Sequence, residues 1–484
     1  MAPTLKRRAF LQTAAAGCAL GVAAPAALAA VRSARASGLV SPGCRRSKVR
    51  VGKLYLGRPK AHWPTPKLDL KAEVQAYEAK LAPMDELSDV DFVVNELVTS
   101  PEQLQALKGK LADVDGILAI HLSMGIGGML GDLLNIGRPT VLFAVPYSGH
   151  EWTGFGAWQK RPEGAKLECM LTSDHGQLAA AVRPFRAIHH LREAKILNVT
   201  TRELGRYPDT IREKFGTEIA KIDRERVLAA YNAVPDEEAQ AEAGRWIARA
   251  TKVVEPSKDE IIRSCKLALA FERMLQDEDA TVMTVDCYGS MWRQLPAYPC
   301  IGFTRLNDMG LAGICESDLQ SAMTYILYQG LVGRPGFISD PTMDVSRNSI
   351  ILAHCLGTTR MDGPDKNPAP YKLRSIMERE EGAVPQVKMR VGQEVTQAKL
   401  VGTDLLLYFT GKIIDVPDLD RGCRTKITVQ VDGDAEALWQ NWSHALHRVT
   451  CYGDLTQDLR RFCKFTQTAL VDEASAVRPA AASG

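Results

Sequence analysis

Short apolar runs separated by helix-patterned stretches constrain this chain more than any other feature, because strands joined through helices pack into a parallel sheet. Val51 to Leu56, Gly116 to His121 and Thr140 to Val145 are such runs, and Leu70 to Lys80 and Ser100 to Leu111 carry helical periodicity between them. The second helix has a legible start: the Ser100 hydroxyl can cap it, and Pro101 takes a first-turn position that needs no N–H. A first α/β domain is expected over 45–185. The alternation resumes at Lys195-Ile196-Leu197-Asn198-Val199. Helices near Arg224 to Tyr231 and Ile261 to Gln276, with strands at Thr281 to Asp286 and Gly336 to Ser339, predict a second α/β domain over 186–342. From about 343 the period falls to two, at Val387 to Val391, Asp404 to Thr410 and Thr425 to Val431, with Gly392, Gly402 and Gly411 as breaks. That pattern predicts a mainly antiparallel β domain over 343–470. The Ala/Pro/Ser-rich segment 471–484 is expected to be a disordered tail.

At 484 residues the chain is long enough for these three domains. Lys+Arg number 60 against 57 Asp+Glu, so charge does not point to a nucleic-acid partner. The eleven cysteines contain no Cys-x-x-Cys pair, which argues against zinc ribbons and a disulfide framework. Residues 1–36 resemble a twin-arginine signal: Lys6-Arg7-Arg8-Ala9-Phe10-Leu11-Gln12, an Ala-rich apolar stretch broken by Pro25, and small residues at Ala27-Leu28-Ala29. This predicts recognition by the twin-arginine export machinery, a periplasmic or extracellular destination and no stable membrane span, with lipid anchoring at Cys18 as the lesser option.

The chemistry-bearing stretch is Cys315-Glu316-Ser317-Asp318, a helical pattern through Leu319, Met323 and Leu327, the break Gly333-Arg334-Pro335, and the strand Phe337-Ile338-Ser339-Asp340. A helix rising 1.5 Å per residue, followed by a strand returning at about 3.3 Å per residue, can bring carboxylates at its two ends together. The expected meeting place is the carboxyl edge of a parallel sheet. His354 and His447 would complete a mixed oxygen and nitrogen shell for a divalent cation. Each residue alone has a structural reading: Glu316 or Asp318 could cap a helix, and a lone histidine is usually a hydrogen-bonded one.

The run from Cys315 to Asp340 resembles the signature of fucose isomerases, with Ala322, Thr324, Gly333, Pro335 and Asp340 in register. His447-Arg448-Val449-Thr450-Cys451-Tyr452-Gly453-Asp454 is similar to the His-His region of arabinose and fucose isomerases. His447 matches the second histidine, and Leu446 stands in place of the first. His354 corresponds to a further ligand of arabinose isomerases. In the N-terminal half, Gly57-Arg58-Pro59 and Pro146-Tyr147-Ser148-Gly149-His150-Glu151-Trp152 share the texture of the superfamily. The resemblance implies two Rossmann-like/flavodoxin-like parallel-sheet domains followed by a mainly antiparallel β-barrel. It also implies a metal-dependent aldose-ketose isomerase acting through an enediol, with Glu316 and Asp340 as ligands and acid/base pair and His447 and His354 as further ligands. Manganese is the expected cation, with Co²⁺, Fe²⁺ or Mg²⁺ as alternatives. The expected substrate is a small sugar, read by Arg58, His150, Trp152, Asn441 and Trp442, and the expected assembly is a homo-oligomer, a trimer or hexamer.

Two alternatives are an exported nicotinamide-dependent sugar oxidoreductase and a non-catalytic carbohydrate-binding protein. The first would use Gly125-Ile126-Gly127-Gly128-Met129-Leu130-Gly131, but Leu130 occupies the place of the third fingerprint glycine. His189-His190, in a basic helix, is expected on a solvated face.

Overall fold

The computed structural model describes residues 47–475; the twin-arginine segment 1–36, with Cys18, lies outside the described residues, as does 476–484. Five parallel strands form the first sheet: β1 (Val49–Leu56), β2 (Val90–Val98), β3 (Gly116–His121), β4 (Thr140–Ala144) and β5 (Leu167–Leu171), ordered β2-β1-β3-β4-β5. That is the flavodoxin-like order, with a ligand-binding crevice expected where β1 and β3 diverge. The second sheet repeats the winding with one strand fewer. It contains β6 (Lys195–Val199), β7 (Glu218–Ile222), β9 (Val282–Val285) and β10 (Ala312–Cys315), all parallel, in the order β10-β9-β6-β7.

The C-terminal part is a closed antiparallel six-stranded barrel. Its strands are β11 (Phe337–Asp344), β12 (Ser349–His354), β15 (Glu394–Val401), β16 (Leu405–Asp415), β17 (Thr425–Val431) and β18 (Arg448–Tyr452). The order is β15-β18-β11-β12-β17-β16, and pairing of β15 with β16 closes the circle; β19 (Ala469–Asp472) adds in parallel to β16. A small separate sheet, β14-β13-β8, joins β8 (Lys252–Val253), β13 (Tyr371–Arg374) and β14 (Val384–Val387). Among the described residues no helix is long and apolar enough to cross a membrane.

Four local expectations need correction. The strand beginning at Gly336 does not return to the second parallel sheet; β11 pairs with β12 and β18 in the barrel. The preceding helix, Leu319–Val332, explains why: all its residues but Gln320 and Val332 are buried. It packs on the helix Gln177–Glu193 and on β15 and β18, in one core with the second sheet. A helix apolar all round must be enclosed by several layers. Gly333, at φ +64° with its N–H bonded to the Gln329 carbonyl, ends it in the left-handed conformation glycine tolerates, and the chain departs toward the barrel.

The strand expected at Val387 to Val391 lies earlier, at β14. Residues 471–475, expected as tail, include the end of β19 and a buried Glu473. His189 and His190 are fully buried rather than solvated. His189 Nδ1 lies 2.9 Å from Asp115 Oδ2, and Arg192 holds the other Asp115 oxygen at 2.6 Å. That acidic partner lies 74 residues away in sequence, so the helix composition could not disclose it.

Candidate metal centre at the mouth of the barrel

Glu316 follows the last residue of β10, and both Glu316 and Ser317 adopt left-handed φ, +63° and +57°. For non-glycine residues this costs roughly 1–2 kcal/mol each. Strain of that kind persists only where surrounding contacts hold it, and it clusters at functional sites. The contacts here are the Ser317 N–H on the Val285 carbonyl, the Asp318 N–H on the Cys315 carbonyl, and the Ser317 hydroxyl on Asn198 at 2.6 Å. Asp318 then caps the buried helix, accepting from the Ser321 N–H. The strained turn therefore presents Glu316 at the carboxyl end of the second sheet.

Barrel register brings in the other three groups. Asp340 lies opposite Ala353, one residue before His354 ends β12. The rung Ser339–Arg448 sets His447 beside Asp340 at the start of β18. His447 Nε2 lies 3.2 Å from Asp340 Oδ1 and 3.9 Å from Glu316 Oε2, and His354 Nε2 lies 3.6 Å from Glu316 Oε1. The two imidazoles meet edge to face, with centroids 5.3 Å apart. Glu316 and Asp340 thus do converge, but at the junction of a parallel sheet and a barrel, not along one sheet edge.

A second layer fixes the orientation of His447. Its Nδ1 faces Asp318 Oδ2 at 3.0 Å, leaving Nε2 toward Glu316 and Asp340. The buried Lys399 ammonium lies 3.4 Å from the same Asp318 oxygen. A carboxylate behind an imidazole fixes its tautomer and direction, as at many metal sites. Behind β18, Arg448 makes a fully buried bidentate pair with Glu473, at 2.8 and 2.6 Å, and donates to the His447 carbonyl. Lys399 and Glu473 were not legible as site-supporting residues, since neither has a local motif.

The electrostatics favour a cation. Burial alone would push Glu316 upward, but His354 and His447 hold its carboxyl below the usual range. Burial likewise opposes ionisation of Asp340, and the two imidazoles outweigh it. Desolvation disfavours a charged His447, yet its bonds to Asp318 and Asp340 and the charge of Glu316 raise its pKa to about 10. A potential that retains a proton so strongly also attracts a metal ion.

The donor set fits one. Ligand atoms of Glu316, His354 and His447 lie within 4.8 Å of one another, and the buried Asp340 Oδ1 has no partner besides His447 Nε2 at 3.2 Å. Two carboxylates and two imidazoles suit Mn²⁺, Fe²⁺, Co²⁺ or Mg²⁺. A cavity of about 200 Å³, lined in part by Cys287, Met291, Arg293 and Tyr298, opens beside this centre rather than on it. Cys287 lies between the two: it lines the cavity, and the nearby Glu316 carboxylate helps to push its thiol pKa up, after burial as the main cause.

The five residues expected to read a sugar do not join this cluster. Asn441 donates to the Glu473 and Ser475 carbonyls, and Trp442 packs on Phe409 and under the Arg448 guanidinium, 4.2 Å from its ring centre. Arg58, His150 and Trp152 lie at the carboxyl edge of the first sheet, where Arg58 donates to the Gly125 carbonyl and His150 packs against Trp63. There the Gly125 N–H is already bonded to Glu151, so the glycine loop has a carboxylate where a dinucleotide phosphate would sit. This weakens the nicotinamide alternative.

No family model matches the chain. It is 21% identical over 314 residues to a sulfoquinovose isomerase of Alkalicoccus urumqiensis, a span covering 60% of this chain and 67% of that protein. It is 26% identical over 221 residues to a sulfoquinovose isomerase of Clostridium sp. (strain MSTE9), covering 42% of this chain and 46% of that one. Both relatives are isomerases by name, and that is the enzyme class this chain resembles.

Proposed function

We propose that the protein is a metal-dependent aldose-ketose isomerase working at the Glu316, Asp340, His354 and His447 centre. The observation that carries the reading is the convergence of these four side chains around a strained Glu316 turn, with an acidic partner behind His447. The relatives' names support the reaction class and make sulfoquinovose the first sugar to try.

The reaction moves a proton between C1 and C2 of the open-chain sugar, with a second proton passing between O1 and O2. Glu316 and Asp340 act as the acid/base pair, one carboxylate taking the carbon-bound proton and returning it at the neighbouring carbon. When bound, a divalent cation supplies Lewis-acid stabilisation of the negative charge developing on the sugar oxygens. His447 and His354 would hold such a cation together with the carboxylates, and Asp318 keeps His447 Nε2 turned inward. Manganese is the proposed cation.

The same reading includes a homo-oligomer, trimer or hexamer, and twin-arginine export; light scattering and cell fractionation test these separately. The activity itself is tested by metal analysis of the purified protein together with chromatography of sulfoquinovose and a panel of aldoses after Mn²⁺ loading. The expected result is a stoichiometric divalent metal and conversion of at least one aldose to its ketose. Sugar affinity without conversion, surviving Glu316→Gln and Asp340→Asn, would instead favour a carbohydrate-binding protein.

A further inference from the structure

One residue beyond the His354 ligand position, the chain gathers a second donor group that the proposed reaction does not use. Cys355 follows the end of β12, and Cys423 lies two residues before β17, the strand paired with it through His354–Thr425. Glu378 reaches them from the loop after β13, where the Glu380 N–H bonds back to the Ile376 carbonyl. Cys423 Sγ lies 3.3 Å from Glu378 Oε1, and the Tyr288 hydroxyl lies 3.7 Å from Cys355 Sγ and 3.4 Å from Glu378 Oε2. Both sulfurs and a Glu378 oxygen fall within 4.8 Å of one another.

We propose that Cys355, Cys423 and Glu378 form a second metal site, for a zinc-type cation, that pins together three chain segments at the mouth of the barrel. Two sulfurs and one carboxylate are a soft-biased set that favours Zn²⁺ over the oxygen-preferring cations suited to the first centre. Binding releases the two thiol protons to solvent and leaves two thiolates and one carboxylate around a divalent ion. The residual negative charge faces a basic surround of Arg379, stacked over Tyr288, and Lys426, close to Cys423. Glu378 is exposed and Cys355 buried, so the ion enters from the solvent side with a coordination position left for water. Because Cys355 adjoins His354, an ion here fixes the segment carrying that imidazole. It does so without touching substrate.

The test uses the full chain, reduced, with Co²⁺ as spectroscopic probe. Sulfur-to-cobalt charge-transfer absorption is expected in the near ultraviolet, persisting in Glu316→Gln, disappearing in Cys423→Ser, and bleaching when Zn²⁺ is added. Glu378→Gln, at an exposed position that leaves folding intact, should retain the absorption with weaker affinity. Absence of the band in folded, reduced wild-type protein overturns the proposal, as does its survival in Cys423→Ser. So does a Cys355–Cys423 disulfide in the isolated protein that, once reduced, yields no cobalt band.

Discussion

Two places in this molecule lie where α/β folds usually hold ligands, and they differ in how completely their polar groups are satisfied. At the carboxyl edge of the first sheet, His121 Nδ1 meets Ser148 Oγ at 2.8 Å and Nε2 meets Glu151 Oε2 at 3.0 Å, while Glu151 also takes the Gly125 N–H. Each of these groups has a partner within the protein. At the barrel mouth, two non-glycine residues are held in left-handed backbone, the buried Asp340 Oδ1 has His447 as its one partner, and three carboxylates share few cations. A closed network stabilises a fold, whereas an open one stores energy that a ligand can recover. The comparison separates a satisfied network at the first edge from a strained, carboxylate-rich cluster at the barrel mouth.

The largest expected effect breaks the chemical side. Glu316→Gln and Asp340→Asn should each lower turnover by roughly 10²–10⁴-fold, as loss of a general acid or base does, measured as sugar conversion at saturating Mn²⁺. Next is the scaffold behind His447: Glu473→Ala leaves the Arg448 charge buried and unpaired and should cost about 3–5 kcal/mol in denaturant unfolding. A smaller change than that would mean Trp442 and the His447 and Ser443 carbonyls suffice to hold Arg448. Asp318→Asn, which weakens the grip on His447 Nδ1, should reduce metal affinity by roughly 10- to 100-fold by calorimetric titration.

On the structural side, Glu151→Ala should cost about 1–3 kcal/mol of stability by leaving the buried His121 Nε2 without its carboxylate partner, read from thermal melts. Should Glu151→Ala instead leave stability unchanged, the first edge would not be the closed network described. The smallest effect concerns pH. Despite burial, His189 and Arg192 hold the Asp115 carboxyl below its ordinary value. Its stabilising contribution is present above the unfolded carboxylate pKa and is lost as pH falls through the lowered folded value. Denaturation midpoints should therefore fall in acid less steeply for Asp115→Asn than for the wild-type chain.

Much of this was legible in the sequence because it is local. Lys195–Val199 and Thr425–Val431 are short strand-patterned runs rich in Ile, Leu and Val, and both are observed as read. β2, Val90–Val98, has neither clean alternation nor a continuous apolar run, and it went unrecognised. The place of β11 was misjudged because a Gly-Pro turn after a helix announces a strand without naming its partners. At the centre, carboxylates at both ends of a helix-strand unit signalled Glu316 and Asp340, and the isomerase likeness added His354 and His447. Asp318 was visible only as a cap, since its bond to His447 spans 129 residues. Lys399 gave no signal at all, its role depending on barrel closure.

The most direct test of the central claim is solvent deuterium incorporation at C2 of sulfoquinovose and other aldoses, with Mn²⁺-loaded protein in heavy water, followed by mass spectrometry. The account predicts exchange by the wild-type chain that depends on metal and is lost in Glu316→Gln and Asp340→Asn. Exchange undiminished in both variants, or none with any aldose despite a filled metal site, would contradict it.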